Sequence, residues 1–203
     1  MRTTSEGEEI LHRVLWQIVE EESQRSAAIQ QGWFNPAVVA MVFAFHTVEA
    51  YMNYVGERLA PEIWKDERNY FRKEPYRGWD GKLRKVMDLV GLSLAPEDRP
   101  LKTILELRDV RDLIAHGKAE KLTGEVAHPA GTEAPAPVST VRQMVIPEGK
   151  LGAALADVEQ FLNQIHQLAR TKVDVSDVWF GVHPLRGPSE YVVRSTTLQS
   201  EQI

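Results

Sequence analysis

Residues 107–117 place Arg108, Asp109, Arg111, Asp112 and His116 on the closing turns of an apolar segment that stops at Gly117. Arginine offers a planar fork of donors to phosphate or carboxylate, and histidine exchanges protons near neutrality. Such a set can recognise a phosphate and move protons beside it; it can equally be a structural salt-bridge network. At about 100° per residue, Arg108, Arg111, Asp112, Ala115 and His116 share one sector of a helix. Arg108 and Asp112 are four apart, as are Asp112 and His116, so Asp112 reads as an orienter linking Arg108 to His116. Arg111 stands about 140° round from His116. The two meet one phosphate only if the arginine curls over the last turn or two copies of the chain share the site.

The helix that carries these residues is apolar on two sides. Leu101, Ile104 and Leu105 continue the charged sector, and Leu107, Val110, Leu113 and Ile114 lie opposite. One side then packs in its own bundle and the other meets a second surface, most simply a second copy. The neighbouring elements follow from periodicity. The capping-box pattern Ser5-Glu6-Gly7-Glu8 predicts the start of a first helix that runs to about residue 31, with Ile10, Leu11, Val14, Leu15 and Ile18 at helical spacing. After a break at Gly32, Asn35 as N-cap and Pro36 as first residue open a second helix over 36–59. Its first half is apolar nearly all round, which makes it central. His46, Glu49 and Asn53 share one of its faces, and His46 and Glu49 are candidates for a shell supporting Arg111 and His116.

Residues 61–81 read as a long connection with Pro75, Gly78 and Gly81. A third helix over 79–90 ends at Gly91, and a fourth, opened by Asp98 and Pro100, runs to His116. A fifth begins at 147–148, with a core face of Leu151, Leu155, Val158, Phe161, Leu162, Ile165 and Leu168. Between them, 122–128 and 138–146 alternate as a two-stranded ribbon around a Pro-rich loop at 129–137. Residues 173–203 form a tail whose apolar cluster at 178–182 can dock on the bundle or on a partner. The expectation is an all-α, antiparallel five-helix bundle over 1–172, with an insertion at 121–147 and with 173–203 as a C-terminal tail or appendage.

A second pattern lies at 64–85, where eight Lys or Arg stand against four Asp or Glu in a chain of net charge -5. Trp64, Tyr70, Phe71, Tyr76 and Trp79 are interleaved with them. Basic residues attract phosphates and aromatic faces stack on bases, so Arg72, Lys73, Arg77, Trp79, Lys82 and Arg84 are candidate RNA contacts. The alternative is a loop whose aromatics plug the core while its charges face water.

Much chemistry is excluded. With no cysteine among 203 residues there are no disulfides and no thiolate zinc site. His46 and Glu49 alone make no metal site, Gly78-Trp-Asp-Gly81 lacks the spacing of a phosphate loop, and no Gly-x-Ser-x-Gly elbow occurs, so no metal or cofactor is expected. His12 and His166 read as surface or internally satisfied positions. The polar N-terminus predicts no signal peptide, and the apolar run at 36–45 is too short to span a bilayer. A cytoplasmic protein with no membrane partner is expected.

The run Arg111-Asp112-Leu113-Ile114-Ala115-His116 resembles the signature of the HEPN superfamily: arginine, a polar residue, mostly apolar positions, then histidine at the end of a bundle helix. Residues 44–56 are similar to the second helix of such proteins, and the five-helix order fits from about residue 5 to 171. The resemblance implies a homodimer with two motif helices facing across a cleft that, in catalytic members, cleaves RNA without a metal. His116 would take or give a proton, Arg111 would hold the phosphorane, and Asp112 would orient them. It further implies a toxin–antitoxin or defence setting, with a protein inhibitor or nucleotidyltransferase-type partner. Non-catalytic members imply the other reading, a dimerisation or nucleotide-binding module.

Overall fold

A computed structural model describes residues 2–117, 150–173, 180–181 and 183–198. It is mostly helical. Strand β1 (Arg2–Glu9) is followed by helices α1 (Leu11–Ala28), α2 (Phe34–Leu59), α3 (Pro61–Trp64), α4 (Glu67–Tyr70), α5 (Gly78–Val90), α6 (Leu101–His116) and α7 (Leu151–Arg170), then by β2 (Glu190–Leu198). The five long helices are those the periodicity predicts; α3 and α4 are single turns inside the connection at 61–81. The ribbon expected at 122–128 and 138–146 lies outside the described residues.

Helix α2 is the hub, touching α1, α3, α5, α6 and α7. Phe45, Val48, Tyr51, Met52 and Val55 are fully buried against Ile104 of α6 and Phe161, Leu162 and Ile165 of α7. Each large side chain so buried contributes about 1.5–3 kcal/mol of transfer free energy. By length and composition α2 could cross a membrane, but 56% of its most apolar stretch is buried inside the protein. Close approach also fixes the hub. A Cβ on Gly56 would overlap the Trp64 indole, whose N–H donates to the Asn53 side-chain oxygen at 3.3 Å.

Three local expectations are corrected. Ser5-Glu6-Gly7-Glu8 does not cap a helix: Arg2–Glu9 pairs antiparallel with Glu190–Leu198, with a register shift between Glu6 and Gly7. The backbone donors a capping box would serve are engaged by the partner strand, and α1 starts at Leu11 behind the buried Ile10. At α2 the helix starts at Phe34, one residue before the proposed cap Asn35, after Gly32 turns the chain at φ 85°. Helix α5 ends on Gly91 in the left-handed conformation, as expected, whereas Gly117 closes α6 with extended backbone (φ -57°, ψ 130°).

The described part of the tail docks on the bundle. Phe180 and Leu185 are buried, and Phe180 stacks on His166 of α7 with ring centroids 5.3 Å apart. Arg13 of α1 donates to the carbonyls of Pro188 at 2.6 Å and His183 at 3.2 Å, and Arg186 pairs with Glu159 and Glu20. The chain thereby returns to its own N-terminus and delivers β2 to β1.

Candidate functional site

Helix α6 buries Leu101, Thr103, Ile104, Leu107 and Val110, while Leu105 packs partly against the core. Both apolar sides are therefore occupied within one chain as far as Val110. Among the α6 residues, Ile114 is the exposed large hydrophobic, at 36%. The bundle thus accounts for the two-sided pattern over 101–110, while Leu113 and Ile114 lie outside the core.

The charged turn is wired differently from its spacing. A helical side chain leans toward the N-terminus of its own helix. Arg111 accordingly reaches α2, where its guanidinium lies 4.7 Å from the Phe45 ring centroid and 3.4 Å from Glu49 Oε1. It also bonds Asp112 at 2.7 Å, and its Nε is buried with no hydrogen-bond partner. The other Glu49 oxygen meets His46 Nδ1 at 3.1 Å. The chain His46–Glu49–Arg111–Asp112 is thus brought together.

Arg108 is a correction: it pairs with Asp80 of α5 and with Asp109, and sits 5.7 Å from the Trp79 ring centroid. Asp112 therefore does not link Arg108 to His116; the nearer guanidinium of Arg111 takes it. His116 is exposed at the helix end, and among the described residues nothing joins it to Arg111 or Asp112.

The basic–aromatic stretch at 64–85 divides. Trp64 and Phe71 are buried plugs, and Tyr70, Tyr76 and Trp79 pack against the core. Arg72, Lys73, Arg77 and Arg84 are exposed, and none makes a salt bridge among the described residues. Lys82 points inward, donating to Asn53 at 2.9 Å and Glu67 at 2.7 Å. A cavity of about 490 Å³ opens beside it, lined by Glu49 and Asn53 of α2, Glu67 and Arg68 of α4, and Trp79 and Lys82 of α5. Another cavity, about 380 Å³ between α2, α6 and α7, has an apolar floor of Met41, Leu107 and Val110. Among the described residues no group of three or more His, Asp or Glu is arranged to hold a metal.

Sequence reasoning gave no role to a histidine cluster under the docked tail. His12 and His166 are buried; Tyr51 Oη lies 2.7 Å from His166 Nδ1, and His166 Nε2 lies 2.8 Å from the Gly181 carbonyl. A carbonyl only accepts, so neutral His166 carries its proton on Nε2 and the Tyr51 hydroxyl donates to Nδ1. Burial pushes the Tyr51 phenol well above its ordinary range, keeping it a donor. His12 sits edge-on to Tyr51 and Tyr54, with centroids 4.9 and 4.7 Å away. Burial, then the Arg13 charge, drive the His12 pKa down to about 3, and burial lowers that of His166. The signal available in the sequence was the i, i+3 pair Tyr51 and Tyr54 on the most apolar helix.

Compared with known proteins, the chain matches no family model, no curated protein and no solved structure. Fold and site together define a class: a mostly helical bundle around one apolar helix, with a charged helix end and an aromatic-walled polar cavity on adjoining faces.

Proposed function

We propose that the protein is a HEPN-type, metal-independent endoribonuclease that works as a homodimer. The observation that carries this reading is the end of α6. His116 is exposed there without a partner among the described residues, and Arg111, just over one turn earlier, keeps 26% of its side chain open. Two copies packed across this end supply two histidines and two arginines to one cleft, which a single chain does not. One His116 takes the proton of a ribose 2′-hydroxyl as its oxygen bonds to phosphorus. The His116 of the second copy protonates the departing 5′-oxygen as the phosphorus–oxygen bond breaks, leaving a 2′,3′-cyclic phosphate. Arg111 neutralises the crowded phosphate between these events, held in place by Glu49 and Asp112. The resemblance of residues 111–116 to the HEPN signature adds a cytoplasmic toxin–antitoxin or defence setting, with an inhibitor or nucleotidyltransferase-type partner.

A second reading is a non-catalytic dimerisation or nucleotide-binding module of the same type. It is favoured by the two carboxylates that already neutralise Arg111. Incubating the purified protein with mixed RNA separates the two. His116→Ala and Arg111→Ala should each slow cleavage by about 10²–10⁴-fold. Cleavage at the parental rate in both variants removes the catalytic assignment, and a wild-type protein that cuts nothing favours the module.

A further inference from the structure

We propose that the cavity between α2, α4 and α5 is a nucleotide pocket that receives one unpaired base. The base would lie with its edge on Asn53 and Glu67, its face on Trp79 and its phosphate toward Arg68. The proposal rests on the RNA-directed reading above, for which it names a base-holding site beside the Arg111 cluster.

Volume is the first requirement. At about 490 Å³ the cavity is in the range of pockets that enclose a small ligand, and it accommodates a mononucleotide. The second is the pattern of unused hydrogen-bonding groups. Asn53 Oδ1 accepts from Lys82 at 2.9 Å and from the Trp64 indole at 3.3 Å, which assigns the opposite, unpaired end of the amide as donor. Glu67 gives one oxygen to the same Lys82 ammonium at 2.7 Å, leaving its other oxygen as acceptor. Both side chains hold one ammonium, so their bonded oxygens lie within about 5.6 Å of each other. The result is an amide donor and a carboxylate acceptor on the two residues that share one ammonium.

That pair complements the Watson–Crick edge of a base, which carries an acceptor next to a donor in all four common nucleobases. Ribose hydroxyls also donate and accept, so what separates a nucleotide from a sugar phosphate is the flat face of the base. Trp79 supplies the wall; its ring lies 5.1 Å from the buried Phe45, and the Arg108 guanidinium stands 5.7 Å from the same ring centroid. An indole suits stacking, which is sequence-tolerant because every base has a π-face. The rim supplies charge. Arg68 lines the opening, and it and the exposed Arg72 and Arg77 make no salt bridge among the described residues. Glu49, whose other neighbours are Arg111 and His46, stands in the same wall and places the pocket next to the proposed phosphate site.

The test is equilibrium titration of the full chain with AMP, GMP, CMP, UMP, ribose 5-phosphate and inorganic phosphate, read by calorimetry. Nucleotides should bind at least about tenfold more tightly than ribose 5-phosphate. Glu67→Gln should weaken them about tenfold, and Arg68→Ala should weaken them and flatten the salt dependence. Arg68 is exposed, so its variant reports binding even if Glu67→Gln perturbs Lys82. Equal binding of ribose 5-phosphate, no nucleotide binding, or unchanged binding in both variants overturns the pocket. Nucleotide binding without RNA cleavage keeps the pocket and removes the ribonuclease reading; cleavage without nucleotide binding does the reverse.

Discussion

Acidification from pH 7 to pH 5 should destabilise the protein by about 2 kcal/mol through His12 alone, with the loss starting near pH 6.5. The sign follows from the lowered pKa. Below 6.5 an exposed histidine of the unfolded chain takes a proton, while His12, buried with Arg13 beside it, does not until about pH 3. The unfolded state therefore binds more protons across this window, and stability falls by about 1.4 kcal/mol per pH unit for such a group. His166 adds to the loss until its own lowered value is reached. Protonating its Nδ1 also turns an acceptor into a donor facing the Tyr51 hydroxyl, beneath the contact that holds Gly181. Glu159 does not confound the window, because its bond to Arg186 lowers its pKa from 4.5 and its contribution persists until more acid conditions. Against total stabilities of about 5–15 kcal/mol, the change is large. Urea midpoints at pH 7, 6 and 5 measure it, with His12→Asn and His166→Gln flattening the dependence. A midpoint that does not move between pH 7 and 5 sinks the assignment.

The same cluster shows where the sequence was readable and where it was not. Helical period alone located all five long helices, because Val48, Tyr51, Met52 and Val55 or Val158, Phe161, Leu162 and Ile165 declare their buried faces locally. The tail could not be placed that way. Its docking depends on residues far apart in the chain, Arg13 with Pro188 and His166 with Phe180, and a single apolar cluster carries no address. Ser5-Glu6-Gly7-Glu8 misled for a related reason: a cap is a local signal, and a strand partner 180-odd residues away overrides it. At the candidate site, spacing anticipated part of the wiring. His46 and Glu49 share a face with a three-residue interval and do meet. The four-residue interval from Arg108 to Asp112 offered a pair that tertiary packing declined, since Asp80 of α5 competes for Arg108 and Arg111 competes for Asp112. The donor–acceptor pair at Asn53 and Glu67 was invisible, because it exists only after Lys82 reaches across three helices.

Replacing Gly81 by alanine should cost about 3 kcal/mol, the upper end of ordinary overpacking penalties, and abolish nucleotide binding. In the sequence Gly81 looked like a third turn residue after Pro75 and Gly78, but it lies inside α5. Its function there is proximity: an added Cβ would overlap the Tyr76 backbone carbonyl outright. Relief by a rotamer change is impossible, because the obstacle is main chain. The segment before α5 lies back along the helix, with the Tyr76 hydroxyl donating to Asp88 at 2.9 Å and Lys85 5.1 Å from its ring centroid. Gly78 N–H bonds the Phe71 carbonyl at 2.8 Å and ties the same segment to the buried plug. Pushing it away shifts the first turn of α5, which carries Trp79 and Lys82 to the cavity and Asp80 to Arg108. Gly152→Ala is the internal control. It lies in α7 with nothing within 4 Å of an added Cβ, so it should stabilise by about 0.5–1 kcal/mol through the lower backbone entropy of the unfolded chain. Urea denaturation of both variants should thus give shifts of opposite sign. Equal, small shifts would show that the approach of Tyr76 to α5 does not hold the wall of the pocket in place.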